Sequence, residues 1–239
     1  MTPALIACSH GTSSPAGRAA ISAVVDRVRE MLPAIDVAEA FVDVQQPEID
    51  TVVQRMPVGA PAIVVPLLLS TGFHTRVDIA RAVAAARGPA LAAPALGPHP
   101  LLAELLVKRL TEAGLGEGDA VVLAAAGSSD PAASVDVTAM AQLLAARLRR
   151  PVAVGFAAGA GVRIADAVSA VRAAGAPRVV TASYVLAPGF FADLIARAGA
   201  ELHTEPLAPH DTVAEIVVER FRAALRSLST PVAGVVRGR

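Results

Sequence analysis

Leu5-Ile-Ala-Cys-Ser-His-Gly-Thr-Ser-Ser-Pro15 and Val121-Val-Leu-Ala-Ala-Ala-Gly-Ser-Ser-Asp-Pro131 are one pattern written twice, with Gly11 matching Gly127 and Pro15 matching Pro131. Each is an aliphatic run that breaks at glycine into a hydroxyl-rich turn, as a strand does when it feeds a helix. Outward from this pair, Pro61-Ala-Ile-Val-Val-Pro-Leu-Leu-Leu-Ser-Thr-Gly-Phe-His74 matches Pro177-Arg-Val-Val-Thr-Ala-Ser-Tyr-Val-Leu-Ala-Pro-Gly-Phe-Phe191, and Gly97-Pro-His99 matches Ala208-Pro-His210. Repetition on this scale marks an internal duplication. Between the matched runs, short aliphatic stretches alternate with longer ones of helical period, the pattern of a parallel sheet built from βαβ units. The fold class is therefore α/β, as two similar domains, each a small parallel sheet flanked by helices. In the first half, strands are expected near Ala4–Ala7, Val37–Val42, Ala62–Pro66 and Ala90–Ala93. Helices are expected near Ala16–Met31, Ile49–Met56, Thr75–Arg87 and Pro100–Ala113. The domains divide as 1–115 and 116–239, joined at the glycine-rich stretch Gly114 to Gly118. The tail from about residue 227 (SLSTPVAGVVRGR) has no helical period and reads as flexible.

The differences between the halves carry the functional argument. His10 aligns with Ala126, and His74 aligns with Phe191. Both histidines follow the ends of expected strands, at the carboxyl edge where open α/β sheets place their ligands. The second half keeps the scaffold and has lost both imidazoles. Duplication followed by specialisation accounts for this: one working site in the cleft, with its chemistry on the first half. A divalent cation or a proton-transfer centre built on His10 and His74 needs an acidic companion. Asp43 is the best candidate, because it ends the second strand, Val37-Ala-Glu-Ala-Phe-Val-Asp43, whereas Glu39 projects from the body of that strand.

Composition excludes several classes. The 239 residues carry 21 Lys+Arg against 21 Asp+Glu, so the basic footprint of a nucleic-acid binder is missing. The lone cysteine, Cys8, allows no internal disulfide, CxxC zinc site or thiolate-ligated cluster. The first residues, MTPALIACSH, lack the features of a secretory signal, and the longest apolar run, Ala62 to Leu69, is far short of the roughly 18 residues of a membrane span. A soluble, cytoplasmic protein is expected. The only lysine, Lys108, lies in a helical pattern, which excludes a Walker A loop, and Gly155 to Gly161 (GFAAGAG) has the wrong spacing for a dinucleotide turn. No organic cofactor is implied.

Other residues read structurally. Cys8 is a packed thiol, two residues from His10. The His10-Gly11-Thr12-Ser13-Ser14 turn opens a helix that Ser13 or Ser14 can cap, and the same helix start can attract carboxylates. His99 and His210 recur in both halves before an expected helix, which marks a shared turn. His203 belongs to no motif and reads as a surface or packed residue.

Three segments, Leu5-Ile-Ala-Cys-Ser-His-Gly-Thr12, Ala40-Phe-Val-Asp-Val-Gln-Gln-Pro47 and Pro66-Leu-Leu-Leu-Ser-Thr-Gly-Phe-His-Thr-Arg-Val-Asp-Ile79, together resemble the signature segments of the sirohydrochlorin chelatases, CbiX-like and of the class II chelatase type. The GxHxxxDI element from Gly72 to Ile79 is the most specific. The resemblance spans about residues 3 to 226, since long members of that family fuse two chelatase-like domains and short ones reach the same architecture as homodimers. It implies ATP-independent insertion of Fe2+ or Co2+ into sirohydrochlorin, on the paths to sirohaem or cobalamin. It also implies metal-binding roles for His10 and His74, with Asp43 at the position of a frequent glutamate. Gln46 replaces a second common acidic residue, and Thr12-Ser13 replaces an arginine that usually follows the first His-Gly.

These residue types suit the chemistry. Imidazole holds a borderline first-row cation firmly enough to strip its water, yet releases it more readily than a thiolate cage would. Insertion also removes two pyrrole N–H protons, for which a neutral His or an ionised Asp serves as base. The many carboxylates of sirohydrochlorin call for Arg side chains, hydroxyls and backbone amides. The candidates are Arg76, Ser13 and Ser14, with Ser128 and Ser129 across the cleft and Phe191, beside Phe190 and Tyr184, as an apolar wall for the macrocycle. With 9 basic against 10 acidic residues in positions 1–115, that anchoring must be local. Because the two halves make one cleft, a monomer is expected. A metallochelatase favouring iron leads, with a cobaltochelatase as alternative and a non-catalytic tetrapyrrole or metal carrier as the competing class. A phosphohistidine-type phosphatase fails, since Ser9 stands where that chemistry needs an arginine.

Overall fold

The computed structural model describes residues 2–72 and 74–229, with side chains omitted at 74–76 and 229. Its first half runs β1 (Ala4–Ser9), α1 (Pro15–Met31), β2 (Val37–Phe41), α2 (Ile49–Arg55), β3 (Ala62–Pro66), a π-helical turn (His74–Ile79) continuing into α3 (Ala80–Ala84), β4 (Ala90–Ala92) and α4 (Pro100–Glu112). The second half runs β5 (Ala120–Ala125), α5 (Pro131–Leu148), β6 (Val152–Phe156), α6 (Ile164–Ala173), β7 (Val179–Tyr184), α7 (Phe190–Ala196), β8 (Leu202–His203) and α8 (Asp211–Ser229). The strands form two parallel four-stranded sheets of order β2-β1-β3-β4 and β6-β5-β7-β8. This bears out the α/β reading with its duplicated sheet. In each half the first strand is central, which is why Ala4–Ser9 is buried at every residue. α8 continues three residues into the stretch read as tail, through Ser229, and residues 230–239 lie outside the described residues.

Helix starts repeat along with the strands. Ser14 caps α1 by accepting from the Gly17 N–H at 3.2 Å, and Asp130 caps α5 by accepting from the Ala132 N–H at 2.9 Å. Each is followed by Pro at the first helical position, where a missing N–H costs nothing. Strand register refines the sequence match. Ala4 pairs with Ala62 and Ala120 pairs with Val179, so Ala62 corresponds to Val179, Leu67 to Tyr184 and His74 to Phe191. The one-residue offset between the two proline-led segments is absorbed ahead of the strands.

Alternation along each central strand splits the core. Leu5 and Ala7 face a cluster shared by both halves, which includes Val24, Val65, Leu106, Leu123, Val217 and Phe221. Ile6 and Cys8 face a separate cluster with Ile49, Val64 and Ile79, and Val122 and Ala124 do the same with Ile164 and Val168. The shared cluster exists because the halves exchange their last helices. α4 packs on α5 and β7 of the second half, and α8 packs on α1, β3 and β4 of the first. On that face each sheet is covered by its own long helix, α1 or α5, together with the other half's last helix. Truncating Phe221 of α8, 1% exposed, to alanine would cost roughly 3–5 kcal/mol through both halves at once.

The stretch between the halves is pinned by polar contacts. The Asp119 carboxylate accepts from the Gly116 N–H at 2.6 Å and from Arg178 at 2.7 and 2.9 Å, and Arg150 donates to the Gly116 and Asp119 carbonyls. The Arg178 guanidinium holds the pKa of Asp119 below the ordinary carboxylate range. Among the described residues, no helix is long and apolar enough to cross a membrane.

Candidate active site

The carboxyl ends of β1 and β3 face those of β5 and β7 across a cavity of about 700 Å3. That volume lies within the range of small-molecule sites. The first half contributes residues 9–13, Val44, Gln45 and residues 67–72; the second contributes residues 125–129 and 184–191. The cavity thus takes its walls from the repeated segments of both halves.

His10 lines it, with its ring Nδ1 3.3 Å from the Gly11 carbonyl. The next residue must be glycine: Gly11 has φ 92°, and a Cβ there would run into the Asp43 carbonyl. This close approach is a stitch between strand ends, for the Asp43 N–H donates to the His10 carbonyl at 3.1 Å. The Asp43 carboxylate goes elsewhere. It is exposed, accepts from the Val44 N–H at 2.8 Å and is not part of the cavity wall. Val44 sits at φ 60°, a left-handed conformation rare for a β-branched residue, and the chain turns there so that Val44 and Gln45 face the cavity in place of Asp43. Gln45 Oε1 accepts from the Thr12 N–H at 2.8 Å, closing that turn onto the His10 loop.

The other expected residues divide. Ser13, Ser128, Ser129 and Phe191 line the cavity. Ser14 does not, because its hydroxyl is committed to the α1 cap. The side chains of His74 and Arg76 lie outside the described residues; the backbone at His74 opens the π-helical turn. Phe190 and Phe191 stand at the mouth, 70% and 37% exposed, edge to face with ring centroids 5.3 Å apart. Among the described residues, no Arg or Lys lines the cavity, and no three His, Cys, Asp or Glu side chains converge as a metal cluster.

Several contributors were missed from sequence. Ser9, 4% exposed, lies on the cavity wall and its Oγ has no partner. A buried hydroxyl left unpaired marks a place for water or a ligand atom. Its adjacency to His10 was the available signal. Tyr184, expected as a macrocycle contact, does line the cavity, but its hydroxyl donates to the Leu69 carbonyl at 2.8 Å. Burial, with Asp136 nearby, pushes that phenol's pKa far up, so it stays a donor. Asp136 accepts from the Thr71 N–H at 2.7 Å. No sequence signal could reveal a contact between positions so far apart.

The structural readings also resolve. Cys8 is wholly buried, and desolvation, followed by the nearby Asp78, pushes its thiol up to about 12. It packs as a small hydrophobe. His99 caps α4 by accepting from the Leu101 N–H at 3.2 Å, and His210 accepts from the Thr212 N–H of α8 at the same distance. They are matching helix-start turns and neither lines the cavity. His203 is exposed on β8.

Comparison with known proteins fits this arrangement. The structure of SirB from Bacillus subtilis with Fe3+ matches with a TM-score of 0.79 and 22% identity, over 94% of this chain and 96% of that one. SirB from Bacillus subtilis subspecies spizizenii in complex with cobalt matches with a TM-score of 0.77 and 22% identity, over 95% and 97%. CbiX, described as the terminal enzyme for siroheme biosynthesis in denitrifying bacteria, matches with a TM-score of 0.64 and 22% identity, over 93% and 99%. These likenesses establish the shared fold. A search of curated proteins found no match. The sequence profile of the CbiX family matches residues 4–113 and again residues 120–224, so the chain belongs to the CbiX family, as two fused copies of its domain.

Proposed function

We propose that this protein is a sirohydrochlorin metallochelatase, which inserts a divalent metal into sirohydrochlorin without ATP. The carrying observation is the cavity between the halves, with an imidazole on the first wall and alanine and phenylalanine at the matched places of the second. A flat macrocycle needs such a slot: one face open to metal delivery, the other laid against an apolar surface. SirB and CbiX, which share the fold, are described with iron, with cobalt and as acting in siroheme biosynthesis.

The reaction balances as one metal dication in and two protons out. His10, with His74 as its partner from the β3 loop, holds the cation as substrate and strips its water before transfer. The same imidazoles, once free of metal, accept the pyrrole protons. Asp43 is an exposed carboxylate stitched by its backbone to His10, suited to passing protons on to water. The unpaired Ser9 hydroxyl, on the cavity wall next to His10, offers the substrate an acceptor. With no cation on the described part of the wall, the substrate's carboxylates are held by the Ser13, Ser128 and Ser129 hydroxyls, by loop amides and by Arg76. Residues 1–115 carry the metal site, and residues 116–239 supply the opposing wall. The protein acts as a cytoplasmic monomer, with Fe2+ as the favoured metal and Co2+ as the alternative.

The test is an anaerobic spectrophotometric assay of sirohydrochlorin with Fe2+, Co2+ and Ni2+ in parallel. Catalysed metallation of the chlorin spectrum, fastest with Fe2+, is expected. Tight binding of sirohydrochlorin and metal with no rate above the uncatalysed mixture would make the protein a carrier.

A further inference from the structure

The loop that leads to His74 belongs to the first half but is held by the second. Residues 67–72 leave β3 and run toward the π-helical turn His74–Ile79. On the way the Leu69 carbonyl accepts from the Tyr184 hydroxyl at 2.8 Å, and the Thr71 N–H donates to Asp136 Oδ2 at 2.7 Å. The two anchors come from different elements, Tyr184 from the end of β7 and Asp136 from the first half of α5. Tyr184 is only 2% exposed, and hydrogen bonds made in a dry interior fix geometry more firmly than those made in water. Gly97 completes the arrangement: a Cβ there would strike both the Tyr184 hydroxyl and the Leu69 carbonyl.

The matching contacts are missing in the other direction. Register puts Leu67 at the place of Tyr184, with no hydroxyl to give, and the paired helix starts at Pro15 and Pro131 put Ala20 at the place of Asp136. Thr71 corresponds to Pro188, which has no N–H to be held. The second half's loop is instead approached closely by α1, where a Cβ on Gly17 would meet the Pro188 carbonyl at 2.5 Å. The clasp therefore runs one way, onto the loop that ends in an imidazole.

We infer that Tyr184 and Asp136 are positioning residues for the metal site: they fix the backbone at Leu69 and Thr71, and through it the placement of His74. This inference rests on the reading of His74 as a metal-binding residue. It gives the ligand-poor half a second duty besides forming a wall.

The test uses the full chain and Co2+ alone, titrated anaerobically and followed by visible d–d absorption, with thermal unfolding of each variant measured beside it. Asp136→Ala and Tyr184→Phe should each weaken Co2+ binding by about tenfold, as loss of groups supporting a ligand commonly does, and should change the band shape. Asp136→Asn, which retains a carbonyl acceptor for the Thr71 N–H, should bind within about threefold of the native chain. Lower melting temperatures with unchanged Co2+ affinity and spectrum in both disruptive variants would overturn the inference, reducing the clasp to domain cohesion. His74→Ala separates the two claims. If it loses the cobalt band while the clasp variants keep theirs, the clasp alone fails; if it binds cobalt as the native chain does, the reading of the metal site fails and takes the clasp with it.

Discussion

The two halves share a backbone at the sheet edge and almost none of its chemistry. Asp43 and Ala158 donate their N–H groups to the carbonyls of His10 and Ala126 at 3.1 and 2.8 Å, and Gly11 and Gly127 hold the intervening turns at φ 92° and 86°. Yet the side chains presented from these turns are imidazole and carboxylate in the first half and methyl groups in the second. A duplicated strand-end turn thus preserves a place, and its side chains are free to diverge once one copy suffices. The exchange of α4 and α8 gives the second copy a structural reason to persist, since each sheet is covered on its inner face in part by the other half's helix.

The strongest challenge to this division of labour is removal of the imidazoles. His10→Ala and His74→Ala should each lower metal insertion by at least about a hundredfold, beyond what loss of a group that only supports a ligand would do, with the circular dichroism spectrum unchanged. A loss of only a few-fold in both would place the working metal site elsewhere. Cobalt soaked into crystals should lie on the first half alone, and cobalt found only on the second would reverse the assignment.

Next in size is the wall. Phe191→Ala removes an aromatic ring from the mouth of the cavity, and such contacts contribute about 0.5–1.5 kcal/mol beyond area. The half-saturating sirohydrochlorin concentration should rise by roughly two- to tenfold, with Co2+ affinity unchanged. A variant that lost cobalt instead would mean that the halves are not divided into ligand side and macrocycle side. Asp43→Asn should cost turnover no more than about tenfold, below the roughly hundredfold or more of a dedicated general base, because the exposed carboxylate shares its task with water. Equal inactivity in Asp43→Asn and His10→Ala would make that carboxylate a principal.

Much of this comparison was legible in the sequence because it lies in repeated local patterns. Aliphatic runs ending in Gly, Ser-rich helix starts and the Pro-His turns each fix a conformation from neighbouring residues, so the strands, the duplication and the edge position of His10 could all be read directly. Asp43 shows where such reading stops. Its strand position was anticipated, but the left-handed Val44 that points the carboxylate to solvent has no sequence signature. Ser14 divided differently: its capping was foreseen beside its binding role, and the cap claimed the hydroxyl. The exchanged helices, Ser9's empty hydroxyl and the Asp136–Thr71 bond depend on contacts between distant segments, which periodicity does not encode.

The smallest effect concerns a pair of matched turns whose partners have opposite charge. His99 uses Nδ1 to accept from the Leu101 N–H, which leaves the proton on Nε2, and that group donates to Glu219 Oε1 at 3.2 Å. His210 makes the same cap with Nδ1, but its Nε2 lies 3.0 Å from the ammonium of Lys108, which occupies on α4 the place of Glu219 on α8. A donor therefore faces a donor. Burial first, then Lys108 and Arg109, lower the pKa of His210 below its ordinary value, against smaller opposing effects of Asp211 and Glu112. In the unfolded chain this histidine takes up its proton near pH 6.5, whereas the folded chain resists it, so stability is fully present above that pH and declines as pH falls through the folded value. Lys108→Gln removes the facing cation and offers a carbonyl to the Nε2 proton. The melting temperature should then fall less between pH 7.5 and pH 5.5 than in the native chain, by about 1–2 °C at this size. The Lys108–Glu112 contact that is lost spans 4.0 Å on an exposed face and contributes little. An unchanged acid-side slope in Lys108→Gln would mean that burial alone governs His210 and that the mismatched partner is neutral to folding.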